Sequence, residues 1–284
     1  MKDKMFQLLI WCSALTILLL VSGILYMLVS LSIPAFQHFG IFHFITSSDW
    51  NSGEGQEQYG ALPFIAGTLL TSVLALIISI PFSIAIALFN GEFFRERKIA
   101  NWLSALVDIF SVIPSVILGI WGYYSLRPLL ITLNIGNYGC GILTAAIVLA
   151  LMIVPYTASL ITAFISRVPK TMREGAFSLG ATRLEVIRKV SIPFASKGIL
   201  AAYILSLSKI LGETMIVAML IGNSNCVPSG IMDNGNTMTS IILNQFGTSS
   251  DLKLSSLVAI ALLLFLITAV MNFMARLMIR KIDR

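Results

Sequence analysis

Charge is what this sequence has least of. Asp, Glu, Lys and Arg make up 11% of its 284 residues, whereas a soluble domain carries about 25%. With 57% hydrophobic residues and a mean hydropathy of +0.91, the chain cannot present an ordinary water-facing surface, and it reads as a polytopic membrane protein. No G-x-x-x-x-G-K-[ST] loop occurs, so the chain cannot bind ATP through a P-loop, and any ATP energy must come from another polypeptide. Histidine is reduced to His38 and His43; without a nearby cysteine they read as interfacial or solvated side chains, not metal ligands. Of three cysteines, Cys12 lies in an apolar run, while Cys140 and Cys226 fall in segments assigned below to the outer side. A disulfide between those two is allowed by compartment and required by nothing. No nucleophile, base and orienting group form a set, so no catalysis is expected, and neither a low-complexity tract nor a soluble domain is present.

Long apolar runs are abundant instead. A spanning helix needs about 20 apolar residues, and six stretches qualify, near 7–33, 62–90, 102–126, 141–165, 198–222 and 255–277. The fold class is therefore an all-α membrane protein with six transmembrane helices, since backbone in hydrocarbon must satisfy its own hydrogen bonds and the alternation of a barrel is missing. The first run, Phe6 to about Phe36, exceeds a signal-peptide core of about 7–15 residues and no small-x-small site closes it, so it is expected to remain as a helix. With the N-terminus inside, sixteen of the nineteen Lys and Arg residues fall in inner segments, Arg127 and Lys253 in outer ones, and Lys209 within a helix. This positive-inside bias predicts cytoplasmic N- and C-termini in an inner membrane. It also accounts for the net charge of +6, leaving no reason to infer nucleic-acid binding. Residues 1–61 read as a first helix with a polar outer loop, and 62–284 as the main membrane domain.

Helix two carries small residues at every fourth position, Gly67, Thr71, Ala75, Ser79, Ser83 and Ala87, a spacing that lets helix backbones approach closely in lipid. Pro81 should kink or open that helix. It is either a mobile element beside a pathway or a packing surface. Helix three repeats the device with Ser111, Ser115 and Gly119, plus Pro114. Intramembrane charges mark pathways or buried partners. Asp108 lies about two turns into helix three; Lys209 and Glu213, one turn apart in helix five, should share a face. The two readings are a passage lined by Lys209 and Glu213 that admits an oxyanion, and a structural ion pair. The outer segment from Gly222 to Ser250, rich in glycine and asparagine, either covers the outer mouth or is a plain solvated loop.

The stretch between helices four and five, Lys170 to Pro193, is far too polar to cross a bilayer. Thr171 with Glu174 and Thr182 with Glu185 each read as a capping box, Gly180 as a left-handed stop between two short helices, and Pro193 as the end of the second. A rigid elbow should therefore project into the cytoplasm; an amphipathic hairpin resting on lipid headgroups is the plainer alternative. The run Glu174-Gly175-Ala176, then Gly180, then Ile192-Pro193 resembles the E-A-A…G…I-x-L-P loop of ABC importer permeases. Gly175 replaces the usual alanine and loosens the helix by roughly 1 kcal/mol.

The stretches Y-G-A-L-P-F-I-A-G-T-L from Tyr59, I-P-S-V-I-L-G-I-W-G from Ile113 and G-E-T-M-I-V from Gly212, together with the elbow, resemble the permease subunits of phosphate importers, the PstC type. The resemblance implies a type I ABC importer permease fold. It implies as partners a second permease of the PstA type, two ATPase subunits that hold the ATP, and an external phosphate-binding protein. In that family the elbow docks into the ATPase, which would make Glu174, Gly175, Ala176, Gly180, Ile192 and Pro193 coupling residues. Glu213 matches the acid of the family's R-x-x-G-E-T pattern, whereas Lys209 replaces its arginine and lacks the planar fork that grips an oxyanion at two points. The same fold also serves other oxyanions, such as molybdate or sulfate. A secondary transporter or channel that uses the intramembrane charges directly is the remaining class, and it gives no reason for the elbow.

Overall fold

The structure, a computed structural model, describes residues 2–51, 53, 57–93, 98–134 and 139–280, the side chains of 2–5, 8, 100 and 101 excepted. Arg95, Arg97, Lys281, Arg284 and the side chains of Lys2 and Lys4, all counted above toward the inner side, lie outside the described residues.

In chain order the elements are α1 (Lys2–Phe39), α2 (Ile41–Thr46), β1 (Trp50–Asn51), β2 (Gln58–Tyr59) and α3 (Leu62–Leu88). A π-helical turn, Phe89–Phe93, extends α3. Next come α4 (Lys98–Val112), α5 (Ser115–Trp121), α6 (Arg127–Thr132), α7 (Ile142–Ser166), α8 (Lys170–Ser178) and α9 (Arg183–Val186). A π turn, Gly122–Leu126, joins α5 to α6, and another, Ile187–Ser191, leads into α10 (Ile192–Leu211); α11 (Met215–Leu220), α12 (Met238–Gln245) and α13 (Asp251–Arg280) follow.

Among the described residues, five helical spans are long and apolar enough to cross a membrane, including Leu62–Phe93, Ile142–Ser166 and Asp251–Arg280. The expected third span is not one helix. Trp102–Val112 and Ser115–Thr132 meet at a bend of 88°, because Pro114 is extended (φ −59°, ψ 135°) and its ring also disfavours helical geometry at Ile113. The proposed small stripe of Ser111, Ser115 and Gly119 is thereby split across the bend. The expected fifth span is displaced and broken. The helix that carries it runs from Arg183, still in the polar elbow segment, to Leu211 and stops at Gly212, after which Glu213 and Thr214 are non-helical.

α3 and α7 form the frame. Gly67, Thr71, Ala75, Ser79, Ser83 and Ala87 are all buried, and the hydroxyls of Thr71, Ser79 and Ser83 donate within their own helix, as Thr71 Oγ1 does to the Gly67 carbonyl at 2.7 Å. Such self-satisfied hydroxyls bring no unpaired polar group into the contact. Ala75 joins Ala145, Val148, Leu149 and Ile153 of α7 in one core with Ile210, Ile216 and Leu220. Thr157 of α7 and Ser206 of α10 share a buried hydrogen bond of 2.7 Å. Pro81 and Pro155 both lie inside unbroken helices.

The polar loop between α1 and α3 is more ordered than its polarity suggests. Trp50 pairs with Tyr59 across β1 and β2, and its ring stands 4.8 Å from Tyr59 and 4.9 Å from Phe64. The Trp50 indole donates to Gln245 Oε1 at 3.1 Å, tying the loop to α12. α1 meets α13 near its C-terminal end, where the Ser255 hydroxyl donates to the Leu31 carbonyl. The segment after α11 is not a plain solvated loop. Asn236, Thr237 and Ser240 are buried, and the amides of Ile142 and Leu143 donate to the carbonyls of Asp233 and Ile231. Cys140 and Cys226 are unbonded.

Candidate coupling elbow and membrane path

α8 ends as its glycine requires. Gly180 has φ +81°, the Gly180 amide donates to the Phe177 carbonyl at 2.9 Å, and the Ala181 amide reaches back to the Ala176 carbonyl at 3.1 Å. This pair of bonds is the Schellman closure. Two residues later the second capping box is complete, with Thr182 accepting from the Glu185 amide while the Glu185 carboxylate accepts from the Thr182 amide. Lys189 lies 3.1 Å from the same carboxylate. The Thr182 backbone bond and then Lys189 hold the exposed Glu185 carboxyl well below the usual range, at about 2.

The first capping box does not form. α8 begins at Lys170 with Pro169, already extended, as its N-cap and no side-chain cap bond. That shift of register puts Thr171 inside the helix, where its hydroxyl cannot reach back to cap. Pro193 does not end the second helix either. The π turn Ile187–Ser191 precedes it and the backbone stays helical through that turn into α10, so the widened turn accommodates a residue with no N–H to donate. Ile192 and Pro193 therefore belong to the root of a membrane helix and not to the elbow tip.

The tip is apolar and open to solvent: Leu179 is 91% exposed, and Met172, Phe177 and Leu184 are exposed with it. Beside them lies a groove of about 340 Å³ lined by Ala176, Leu179, Gly180, Ala181, Glu185 and Lys189. Glu174 is exposed, and a Cβ at Gly175 would meet nothing within 4 Å. This arrangement offers a firm apolar knob with charge at its rim, suited to entering a pocket of another protein.

One anchor of the elbow was missed in the sequence. Glu92, in the π turn after α3, pairs with Arg173 of α8 at 3.1 Å, their side chains 6% and 11% exposed. Its other oxygen accepts from Ser191 Oγ at 2.6 Å. Arg183 of α9 donates to the Glu92 and Phe93 carbonyls at 3.1 and 2.6 Å. An acid closing the long apolar run of helix two was the available signal.

The three intramembrane charges are not brought together. Lys209, in the last turn of α10, is exposed with its ammonium 4.3 Å from the Tyr156 ring centroid, a cation–π contact. Glu213 lies beyond the break at Gly212 and does not continue the helical face of Lys209; among the described residues no ion pair joins the two. The Glu213 carbonyl accepts instead from Thr239 Oγ1 at 2.9 Å. Asp108 stands in a separate cavity of about 280 Å³, lined also by Asn90, Ser104, Ser159 and Thr162.

Residues 79–284 match the family model of the binding-protein-dependent transport system inner membrane component. The chain belongs to that family. This permease is 35% identical to the phosphate transport system permease protein PstC of Mesorhizobium japonicum, over 100% of its own length and 91% of the relative's. It is 36% identical to the protein of that name from Haemophilus influenzae, over 95% and 91% of the two chains. An inward-facing structure of the MetNI methionine ABC transporter superposes on 79% of the permease and 95% of that chain, with TM-score 0.57 and 21% identity. That likeness carries the fold, a type I ABC importer permease.

Proposed function

We propose that this permease is the membrane-spanning half of an ATP-driven importer that moves inorganic phosphate into the cell. Full-length similarity to proteins named phosphate permeases supports the substrate. The observation that carries the ATP coupling is the elbow: two short helices, closed at Gly180 and capped at Thr182, that hold Met172, Phe177, Leu179 and Leu184 out in solvent. ATP is bound and hydrolysed by separate ATPase subunits, each seating one elbow, so this chain is not itself an enzyme. A PstA-type permease completes the path, and an external phosphate-binding protein delivers the ion to the outer side, where the segment around Asn236 closes over α3 and α7. The N- and C-termini face the cytoplasm of an inner-membrane protein, the side to which the basic residues are biased.

Closure of the ATPase pair pushes the elbows together and converts an inward-open arrangement into an outward-open one, with phosphate bound differently in the two. Lys209 supplies positive charge to the path, free of the ion pair with Glu213 that would cancel it, and Tyr156 holds its ammonium. Glu174, Gly175, Ala176 and Gly180 serve coupling, and Ile192 and Pro193 root the elbow in α10. Asp108 lines its own cavity on the inner side.

The experiment is uptake of labelled phosphate into proteoliposomes holding this chain with its partners, with and without ATP, with molybdate and sulfate as competitors. ATP-dependent uptake that resists both competitors and is lost on replacing Gly180 and Leu179 is expected. Uptake without ATP overturns the importer reading, and displacement by molybdate or sulfate overturns the substrate.

A further inference from the structure

The elbow and the outer segment are joined by one helix, and we infer that α3 is a rod that carries elbow movement to the outer side, with Glu92 as its positioning residue. This rests on the importer reading above.

Both elbow helices grip the inner end of the rod. Arg173 of α8 pairs with the Glu92 carboxylate at 3.1 Å, Arg183 of α9 takes the Glu92 and Phe93 carbonyls, and Ser191 fills the remaining carboxylate oxygen at 2.6 Å. Arg173 also donates to the Ile165 carbonyl at 2.8 Å, so the clamp spans the inner ends of α3 and α7 together. A charge pair this dry leaves its survivor stranded if one member is removed, which holds the two elements in one fixed relation.

The outer end is fixed as tightly. A Cβ at Gly67 would fall 2.1 Å from the Asn236 carbonyl oxygen, so only glycine permits that approach. Thr68 Oγ1 accepts from the Met238 amide at 2.9 Å in a buried setting. From there Thr239 reaches the Glu213 carbonyl at 2.9 Å, in the interruption that follows Lys209. Between the two ends α3 is unbroken from Leu62 to Leu88, about 40 Å at the helical rise. A stiff helix clamped at both ends cannot shift at one alone. Elbow displacement therefore reaches the Asn236 segment and the Glu213 break through α3, in addition to α7 and α10, which join the elbow covalently.

Spatial continuity is not coupling until both ends are seen to respond, and the chain supplies a reporter. Cys226 is exposed, and its neighbour Asn225 accepts from Asn236 Nδ2 at 3.1 Å. In the complete complex in proteoliposomes, with Cys12→Ser and Cys140→Ser, the rate at which a membrane-impermeant maleimide labels Cys226 is measured without nucleotide and with a non-hydrolysable ATP analogue. The parent complex should change its labelling rate with nucleotide. Glu92→Gln should lose that change, and phosphate taken up per ATP hydrolysed should fall about tenfold, within the usual range of coupling between sites. Thr68→Val, which leaves the elbow untouched, should give the same loss. Exchanging the pair as Glu92→Arg with Arg173→Glu should restore part of it, since the Ile165 bond is not rebuilt. Should Glu92→Gln fail to assemble, Ser191→Ala and Thr68→Val carry the test. Nucleotide-dependent labelling and coupled uptake that survive in Thr68→Val and in either inner-end variant overturn the rod. A parent complex without ATP-dependent phosphate uptake fails the importer reading instead, whereas one that takes up phosphate with Cys226 unresponsive to nucleotide overturns the rod alone.

Discussion

α3 and the α4–α5 pair each carry a proline in the middle of an apolar run, and they answer it differently. Pro81 sits inside an unbroken helix; Pro114 marks a bend of 88°. The ring is the same, and what differs is the contact around it. α3 is held along α7 by a buried small face, so the one lost hydrogen bond is outweighed by packing on both sides of the proline. α4 presents Trp102, Leu106, Ile109 and Phe110 outward, with little tertiary contact to enforce continuity, and the local preference of the X-Pro step decides. A breaker residue thus reports a susceptibility, and packing determines whether it becomes a break.

The most damaging way to blur this contrast is to loosen the frame. Gly67→Val would place branched carbons where even a Cβ lies 2.1 Å from a backbone oxygen. Overpacking typically costs about 1–3 kcal/mol, and here the obstacle is backbone, so the upper end is expected. Thermal unfolding of the purified complex should show the loss, with protease cutting near Asn236 as the first symptom.

Next comes the bend itself. Pro114→Ala restores an N–H and frees Ile113 to become helical. Spin labels at Trp102 and Ile117 should then move apart toward the roughly 22 Å that fifteen residues of straight helix span. Pro81→Ala should leave the corresponding distances in α3 unchanged and its thermal stability equal or higher. Equal responses at the two prolines would dissolve the comparison.

The frame was legible because its signal is periodic and redundant. Six small residues at every fourth position all prove buried, and no single residue had to be read correctly. Gly180 was legible for another reason, since one glycine between two polar helices has few other uses, and its φ of +81° follows. Interruptions were harder to read. The break at Gly212 arises where α10 gives way to contacts made by the distant Thr239, and the Glu92–Arg173 pair joins residues eighty-one positions apart. Periodicity within one helix cannot reveal either.

Two glycines in the elbow give a smaller and sharper test. A Cβ would meet nothing within 4 Å at Gly175 or at Gly180, but φ is positive only at the latter. Gly175→Ala should therefore stabilise α8 by about 0.5–1 kcal/mol. Gly180→Ala should destabilise its closure by roughly 1–2 kcal/mol, the cost of a side chain in the left-handed region. Binding of the elbow to its ATPase, followed by co-purification and by uptake, should move in opposite directions in the two variants.

The smallest expected effect separates two identical signatures. Thr171-x-x-Glu174 and Thr182-x-x-Glu185 are indistinguishable as patterns, yet only the second is built. Thr182→Ala should cost about 1 kcal/mol of helix-end stability, and Thr171→Ala almost none. Amide exchange over residues 182–186 should accelerate in the first variant alone. Acid gives an independent check with a definite sign. Because the Glu185 carboxyl is held at about 2, its contribution is full above the ordinary carboxylate pKa and disappears as pH falls through that depressed value. Protection at the start of α9 should thus survive mild acid in the parent, whereas Glu185→Gln should show lower protection at neutral pH and no change on acidification. Pro169 explains the asymmetry between the two threonines: as the N-cap of α8 it starts the helix two residues earlier than a Thr171 cap would, which places Thr171 inside the first turn, so a capping box depends on the residues before it as much as on its own two ends.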